Sequence, residues 1–218
     1  MRIYKYFHSC VLLDDGQTKI LFDPGDYCFL NGRAKPEEFT GIDAVVITHS
    51  HSDHADLNAL RTIVAGNKPR LISNSEVGES LSKNGIGTLE PGNQNWKIGD
   101  FTIKAFAAKH QELFKTVPEN TAFTVNDIFL HPGDSLDPAL YSLKVKVLAL
   151  PIIAPWGKLT EFAEFAKNIK PEIVVPIHDG IAIDAFLENN YKRWEEYFSG
   201  LGIRFVPLRN KKEFLEMA

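Results

Sequence analysis

Four metal-competent side chains crowd into one short stretch, Thr48-His49-Ser50-His51-Ser52-Asp53-His54, and they constrain this chain more than any other feature. The preceding run, Ala44-Val45-Val46-Ile47, is apolar and mostly β-branched and reads as a buried strand. The following run spaces Leu57, Leu60 and Val64 at i, i+3 and i+7, a helical stripe that Asp56 is placed to cap. The cluster therefore falls on a strand-to-helix turn at a sheet edge. Rigid elements on both sides let such a turn converge ligands on an ion. Imidazoles mixed with a carboxylate suit zinc, manganese or iron better than calcium or magnesium. A solvated polar loop would account for one histidine here. It does not account for His-x-His-x-Asp-His after a buried strand.

The bulk numbers set the frame. At 218 residues the chain holds one large core, and no composition break divides it, so residues 1–218 are expected to form a single domain. A hydrophobic fraction of 44% and a charged fraction of 24% are those of an ordinary globular protein. The N-terminal run Met1-Arg2-Ile3-Tyr4-Lys5-Tyr6-Phe7 is too short and too charged for a signal peptide, and no long apolar span follows. The expected location is the cytoplasm, with no membrane partner. Cys10 and Cys28 are too few for a disulfide framework and are read as reduced. A formal net charge of −4 without a Lys or Arg run argues against nucleic acid. The expected partner is a small-molecule substrate; self-association into a homo-oligomer is left open.

Along the chain, Lys19-Ile20-Leu21-Phe22 reads as a strand ending in the turn Asp23-Pro24-Gly25. Arg70–Ser73 reads as a strand, and Ser75 as the cap of a helix running through Leu81 and stopping near Gly85. Phe101–Phe106 is a further strand. Ala122–Val125 and Ile128–His131 flank Asn126-Asp127, a tight-hairpin signal. The second half alternates: a strand over Val145–Leu150, then a helix opened by Thr160 with Phe162, Phe165, Ala166 and Ile169 on one stripe. A strand over Glu172–Ile177 follows, then a long helix carrying Phe186, Leu187, Tyr191, Trp194 and Phe198, and a last strand from Ile203 to Leu208. A meander followed by strand–helix alternation implies two packed sheets with helices outside. The aromatic stripes belong to the core.

His110, Asp134 and His178 each lie just beyond a strand. With the first cluster they make His-x-His-x-Asp-His, then His, then Asp, then His. In this the sequence resembles the metallo-β-lactamase superfamily over nearly its whole length. Ile20-Leu21-Phe22-Asp23-Pro24-Gly25, Gly133-Asp134-Ser135 and Pro176-Ile177-His178 add to the resemblance. It implies an α+β fold, a four-layer αββα sandwich. It also implies two divalent metal ions, zinc foremost and manganese or iron otherwise. His49, His51 and His110 would hold one ion, Asp53, His54 and His178 the other, with Asp134 bridging. Within the superfamily the chain is similar to small bacterial metal-dependent hydrolases of the ascorbate-6-phosphate lactonase-like branch, through Phe7-His8-Ser9, Leu150-Pro151-Ile152 and Leu159-Thr160. It departs from that branch at Ile153-Ala154-Pro155-Trp156-Gly157, where a Gly-rich stretch is usual.

The expected activity is hydrolysis of a lactone or other ester of a small metabolite by a metal-bridging hydroxide, with Asp53 as catalytic residue. The alternatives are a phosphodiesterase on a small or lipid-like phosphodiester, and a metal-binding scaffold or sensor without turnover. His8 is read equally as a substrate or proton-transfer group and as a packed hairpin residue. Asp23 is a turn aspartate placed to hold a ligand imidazole. Trp156 is expected at the pocket mouth, and His131 in a structural role.

Overall fold

A computed structural model of the protein describes residues 1–90, 92, 94–113 and 117–217. The first half runs β1 (Arg2–Lys5), β2 (Val11–Asp14), β3 (Lys19–Phe22), α1 (Asp26–Phe29), β4 (Ala44–Val46), α2 (Leu57–Asn67), β5 (Arg70–Ile72) and α3 (Ser75–Lys83). The second half continues with β6 (Asn95–Ile98), β7 (Phe101–Ala107), β8 (Thr121–Val125), β9 (Phe129–His131), β10 (Val147–Pro151) and α4 (Leu159–Ile169). It ends with β11 (Ile173–Ile177), α5 (Asp184–Ser199), β12 (Arg204–Phe205) and β13 (Leu215–Glu216). One sheet has the order β13-β1-β2-β3-β4-β5 and the other β12-β11-β10-β9-β8-β7-β6. Each is antiparallel on one side, and β3-β4-β5 and β9-β10-β11-β12 are parallel.

Alternation along the strands builds the layers. Ile20 and Phe22 of β3, Ala44 and Val46 of β4, and Val147 and Ala149 of β10 all enter one cluster between the sheets. Leu21, Val45 and Ile47 point the other way, onto Leu60 and Ile63 of α2 and Val77 and Leu81 of α3. Leu148, Leu150 and Val174 leave the second sheet outward onto α4 and α5. The result is helix, sheet, sheet, helix, the expected αββα sandwich. Phe22, Phe123 and Phe129 are fully buried at its centre, with Phe22 edge-on to Phe129 at 5.7 Å between centroids. Each such ring contributes about 1.5–3 kcal/mol by leaving water.

Local signals are largely realised. The Asp56 side chain accepts from Asn58 N and Ala59 N, and Asn126 and Asp127 take left-handed φ of 54° and 52° in the β8–β9 hairpin. The four apolar residues expected on α4 are its buried face. Other expectations shift. Asn74, not Ser75, caps α3, because its side chain accepts from Val77 N while Ser75 is already helical. Phe186 is 52% exposed on the first turn of α5 and lies off the stripe that Tyr191, Trp194 and Phe198 bury. Among the described residues, no helix is long and apolar enough to cross a membrane.

Candidate metal centre

The strands β3, β4, β9 and β11 deliver their following residues to one edge of the two sheets. Asp23 leaves β3 with a φ of 43°. Two residues on, an added Cβ at Gly25 would lie 1.8 Å from the Asp53 carbonyl oxygen, so only glycine lets the two backbones meet. Asp26 N donates to Ser52 O at 2.8 Å and Asp56 N to Pro24 O at 3.2 Å. The Asp-Pro-Gly turn is thus a backbone clamp on the histidine loop.

The imidazoles are anchored outward and open inward. Asp23 accepts from Thr48 N at 2.8 Å, from Thr48 Oγ1 at 2.7 Å and from His54 Nδ1 at 2.7 Å. The Thr48 hydroxyl, its proton committed to Asp23, accepts from His49 Nδ1 at 3.0 Å. His110 Nδ1 donates to Gln111 O at 2.5 Å and His178 Nδ1 to Ile153 O at 2.7 Å. With Nδ1 spent, Nε2 of all four rings turns to the centre. Nε2 of His49, His110 and His178, together with Asp134 Oδ1, are buried without a hydrogen-bond partner. Four buried orphans converging on one space are what a ligand set for cations looks like.

Ligand atoms of His49, His51, His110 and Asp134 all lie within 4.8 Å of one another, and so do those of His8, Asp53, His54 and His178. Asp134 joins the two sets. Its Oδ1 is 3.2 Å from His54 Nε2, and its Oδ2 is 3.3 Å from His178 Nε2 and 3.7 Å from His110 Nε2. Each set is of a composition that could hold a divalent metal ion.

Charge is concentrated here. Burial pushes the Asp134 carboxyl up, but His178 and His54 outweigh it and hold the group well below the usual carboxylate range. Burial likewise opposes ionisation of Asp53, and the His178 and His8 imidazoles beside its Oδ2 overcome it. In turn His178 is raised to about 10: burial acts downward and Asp134 prevails. Protons and divalent cations compete for these Nε2 atoms, so metal binding releases protons.

A family model described as the beta-lactamase superfamily domain matches residues 2–178. The chain belongs to the metallo-β-lactamase superfamily. Among its relatives is protein Rv0786c of Mycobacterium tuberculosis, 32% identical over 83% of this chain and 85% of that one. The UPF0173 metal-dependent hydrolase mll0680 of Mesorhizobium japonicum is 31% identical over 94% of this chain and 95% of its own. The crystal structure of the metallo-β-lactamase fold protein YhfI from Bacillus subtilis superposes with a TM-score of 0.70 at 17% identity. The match covers 99% of this chain and 98% of YhfI.

On this superfamily scaffold the remaining candidates find distinct places. Trp156 lines the cavity above the cluster and donates from Nε1 to Asp134 Oδ2 at 2.8 Å. His8 adopts a φ of 56°, and its Nδ1 accepts from Gly180 N at 3.1 Å. That bond leaves the ring proton on Nε2, which donates to Asp53 Oδ2 at 3.1 Å. His8 is depressed to about 4 by burial and by His178, so it is neutral. His131 lies below the cluster, donating to Ser9 O at 3.1 Å and accepting from Gly133 N at 3.2 Å, its ring stacked on Phe22. Sequence reasoning missed Thr48, Asn120 and Gly180. Asn120 spans Ala108 O, Pro132 O and Asp134 N, tying the His110 and Asp134 loops together. Thr48 and Gly180 carry one signal in sequence, their closeness to His49 and His178.

Proposed function

We propose that the protein is a cytoplasmic dinuclear metal-dependent hydrolase, with zinc foremost, acting on a lactone or other carboxylic ester of a small metabolite. The observation that carries this reading is the convergence of orphaned His49, His110 and His178 Nε2 with Asp134 Oδ1 beneath a cavity of about 460 Å³. His49, His51 and His110 would hold one ion and Asp53, His54 and His178 the other, with Asp134 shared. Bound there, the cations would supply Lewis acidity and a nucleophilic water at neutral pH.

The chain's own residues supply order. Thr48 and Asp23 fix the His49 and His54 rings, so ligand geometry is set before any substrate arrives. Trp156 and the Asn120 bond to Asp134 N position the shared carboxylate. Asp53 keeps 20% of its side chain exposed while His8 and His178 approach one oxygen, Oδ2. Its ionised carboxylate is placed to take the proton released as the nucleophilic water attacks and to pass it to the departing alkoxide. The resemblance to the lactonase-like branch supports an ester over a phosphodiester.

Elemental analysis and steady-state assay test the reading together. The expected results are two metals per chain and hydrolysis of lactones or activated esters that a chelator abolishes. One metal at saturation would overturn the dinuclear assignment. Two metals without turnover of any lactone, ester or phosphodiester would favour the scaffold alternative.

A further inference from the structure

The cavity above the cluster is chemically lopsided. Its floor is Asp53, Asp134, His51 and His178, but its wall is Tyr27, Leu113, Pro155, Trp156 and Ile181. Among the described residues that line it there is no Lys or Arg. The charge at its rim is instead a carboxylate, Asp26, whose Oδ2 accepts from Ser52 Oγ at 2.7 Å.

Among the described residues, the neighbouring cations are turned elsewhere. Arg33 donates to Gly180 O at 3.0 Å, with its guanidinium 5.3 Å above the Phe7 ring. It lines a separate cavity on the far side of Gly180, where the Lys5 ammonium is paired with Asp179. Lys109 lines an adjoining cavity, which Trp156 also borders, and its ammonium is 3.4 Å from Glu112. Further along the chain from Ile181, Ile183 is 74% exposed and Phe186 is 52% exposed.

An anionic group at the distal end of a substrate would lose water against this wall without gaining a cation among the described residues, and would face Asp26. A hydrocarbon chain would lose water with gain. Resting on the hydrolase reading above, we infer that the substrate carries an uncharged alkyl or aryl substituent. This substituent lies along Tyr27, Trp156 and Ile181, and the site discriminates against phosphorylated or carboxylated substrates. In the reaction a water oxygen bonds to the acyl carbon and the acyl C–O bond breaks. The departing oxygen takes up a proton, so a lactone gives a hydroxy acid with no oxidant or co-reactant.

The test uses the zinc-loaded full chain, a series of γ-alkyl γ-lactones, and a matched lactone ending in a phosphate. The non-hydrolysable γ-alkyl lactams are titrated alongside by calorimetry. Both kcat/KM for the lactones and affinity for the lactams should rise roughly fourfold per methylene until the wall is covered. The phosphorylated lactone should fall at least 100-fold below its neutral counterpart. Ile181→Ser should flatten the chain-length dependence and Ile181→Leu should keep it. Hydrolysis with a flat series, or with the phosphorylated lactone preferred, overturns the inference and leaves the hydrolase reading standing. Lactam affinity that rises with chain length without lactone turnover keeps the inference about the wall and overturns the ester reading.

Discussion

Asp23 Oδ2 lies 2.7 Å from His54 Nδ1 and 2.7 Å from Thr48 Oγ1, so one fully buried carboxylate sets the first and last rings of the cluster. It holds His54 directly and His49 through the threonine hydroxyl.

Removing that carboxylate should loosen the metals without touching a ligand. Asp23→Ala is expected to lower metal affinity roughly 10- to 100-fold, the usual size for partners that orient ligand histidines. Asp23→Asn should fall between. Competition against a chromophoric chelator reads this out, and unchanged affinity in Asp23→Ala would reduce Asp23 to a turn residue.

Asp53 and His8 separate by role. Asp53→Ala should cut turnover roughly 10²-fold or more at saturating metal, because it removes a positioned proton carrier. His8→Ala removes the Nε2–H that holds Asp53 Oδ2 and the Nδ1 acceptor of Gly180 N but leaves the carboxylate itself, and should cost less. His8→Gln, which keeps a donor, should recover part of the loss. Metal content measured on every variant excludes simple ion loss, and near wild-type turnover by fully loaded Asp53→Ala would leave the residue as a ligand only.

Residues 44–67 are legible in the sequence because strand, turn, cap and stripe are all local. Asp56 caps α2 and Leu60 buries as its spacing requires, whereas Leu57 and Val64 are half-buried and Ile63, off that stripe, is fully buried. The ligand positions at His110, Asp134 and His178 follow from strand ends together with a family pattern. What spacing does not carry is pairing between distant segments. Leu215 pairs with Ile3 across the whole chain, and Gly180 N selects the tautomer of His8. Trp156 reaches Asp134 from a loop whose composition gives no bond partner. Phe186 misleads because helical phase alone does not say where a helix leaves its sheet.

Two glycines test the clamp against simple backbone freedom. Gly25→Ala places a Cβ 1.8 Å from Asp53 O, so the histidine loop must shift; lower thermal stability and reduced metal stoichiometry are expected. Gly66 sits in α2 with open space around its Cβ direction, and Gly66→Ala should stabilise by about 0.5–1 kcal/mol. Calorimetric melts of both variants check the pair, and equal effects would discount the clamp.

Alkaline sensitivity should trace to two tyrosines outside the proposed ligand set, Tyr6 and Tyr191. Tyr191 Oη donates to Asp179 Oδ2, which also pairs with Lys5. Burial and the Asp179 carboxylate raise the Tyr191 phenol far above its ordinary value, and burial and the nearby Cys10 push Tyr6 up to about 12. Below pH about 10 both phenols are protonated in folded and unfolded chains alike, so their contribution is fully present. Above that, the unfolded chain releases protons that the folded chain retains, and stability falls as pH rises through about 12 at Tyr6 and beyond at Tyr191. Urea midpoints taken between pH 8 and 11.5 should therefore decline. Tyr191→Phe should start lower at pH 8 for want of the hydrogen bond to Asp179, yet decline less steeply, and adding Tyr6→Phe should flatten the curve further. Parallel curves for wild type and both variants would place the alkaline transition elsewhere in the fold.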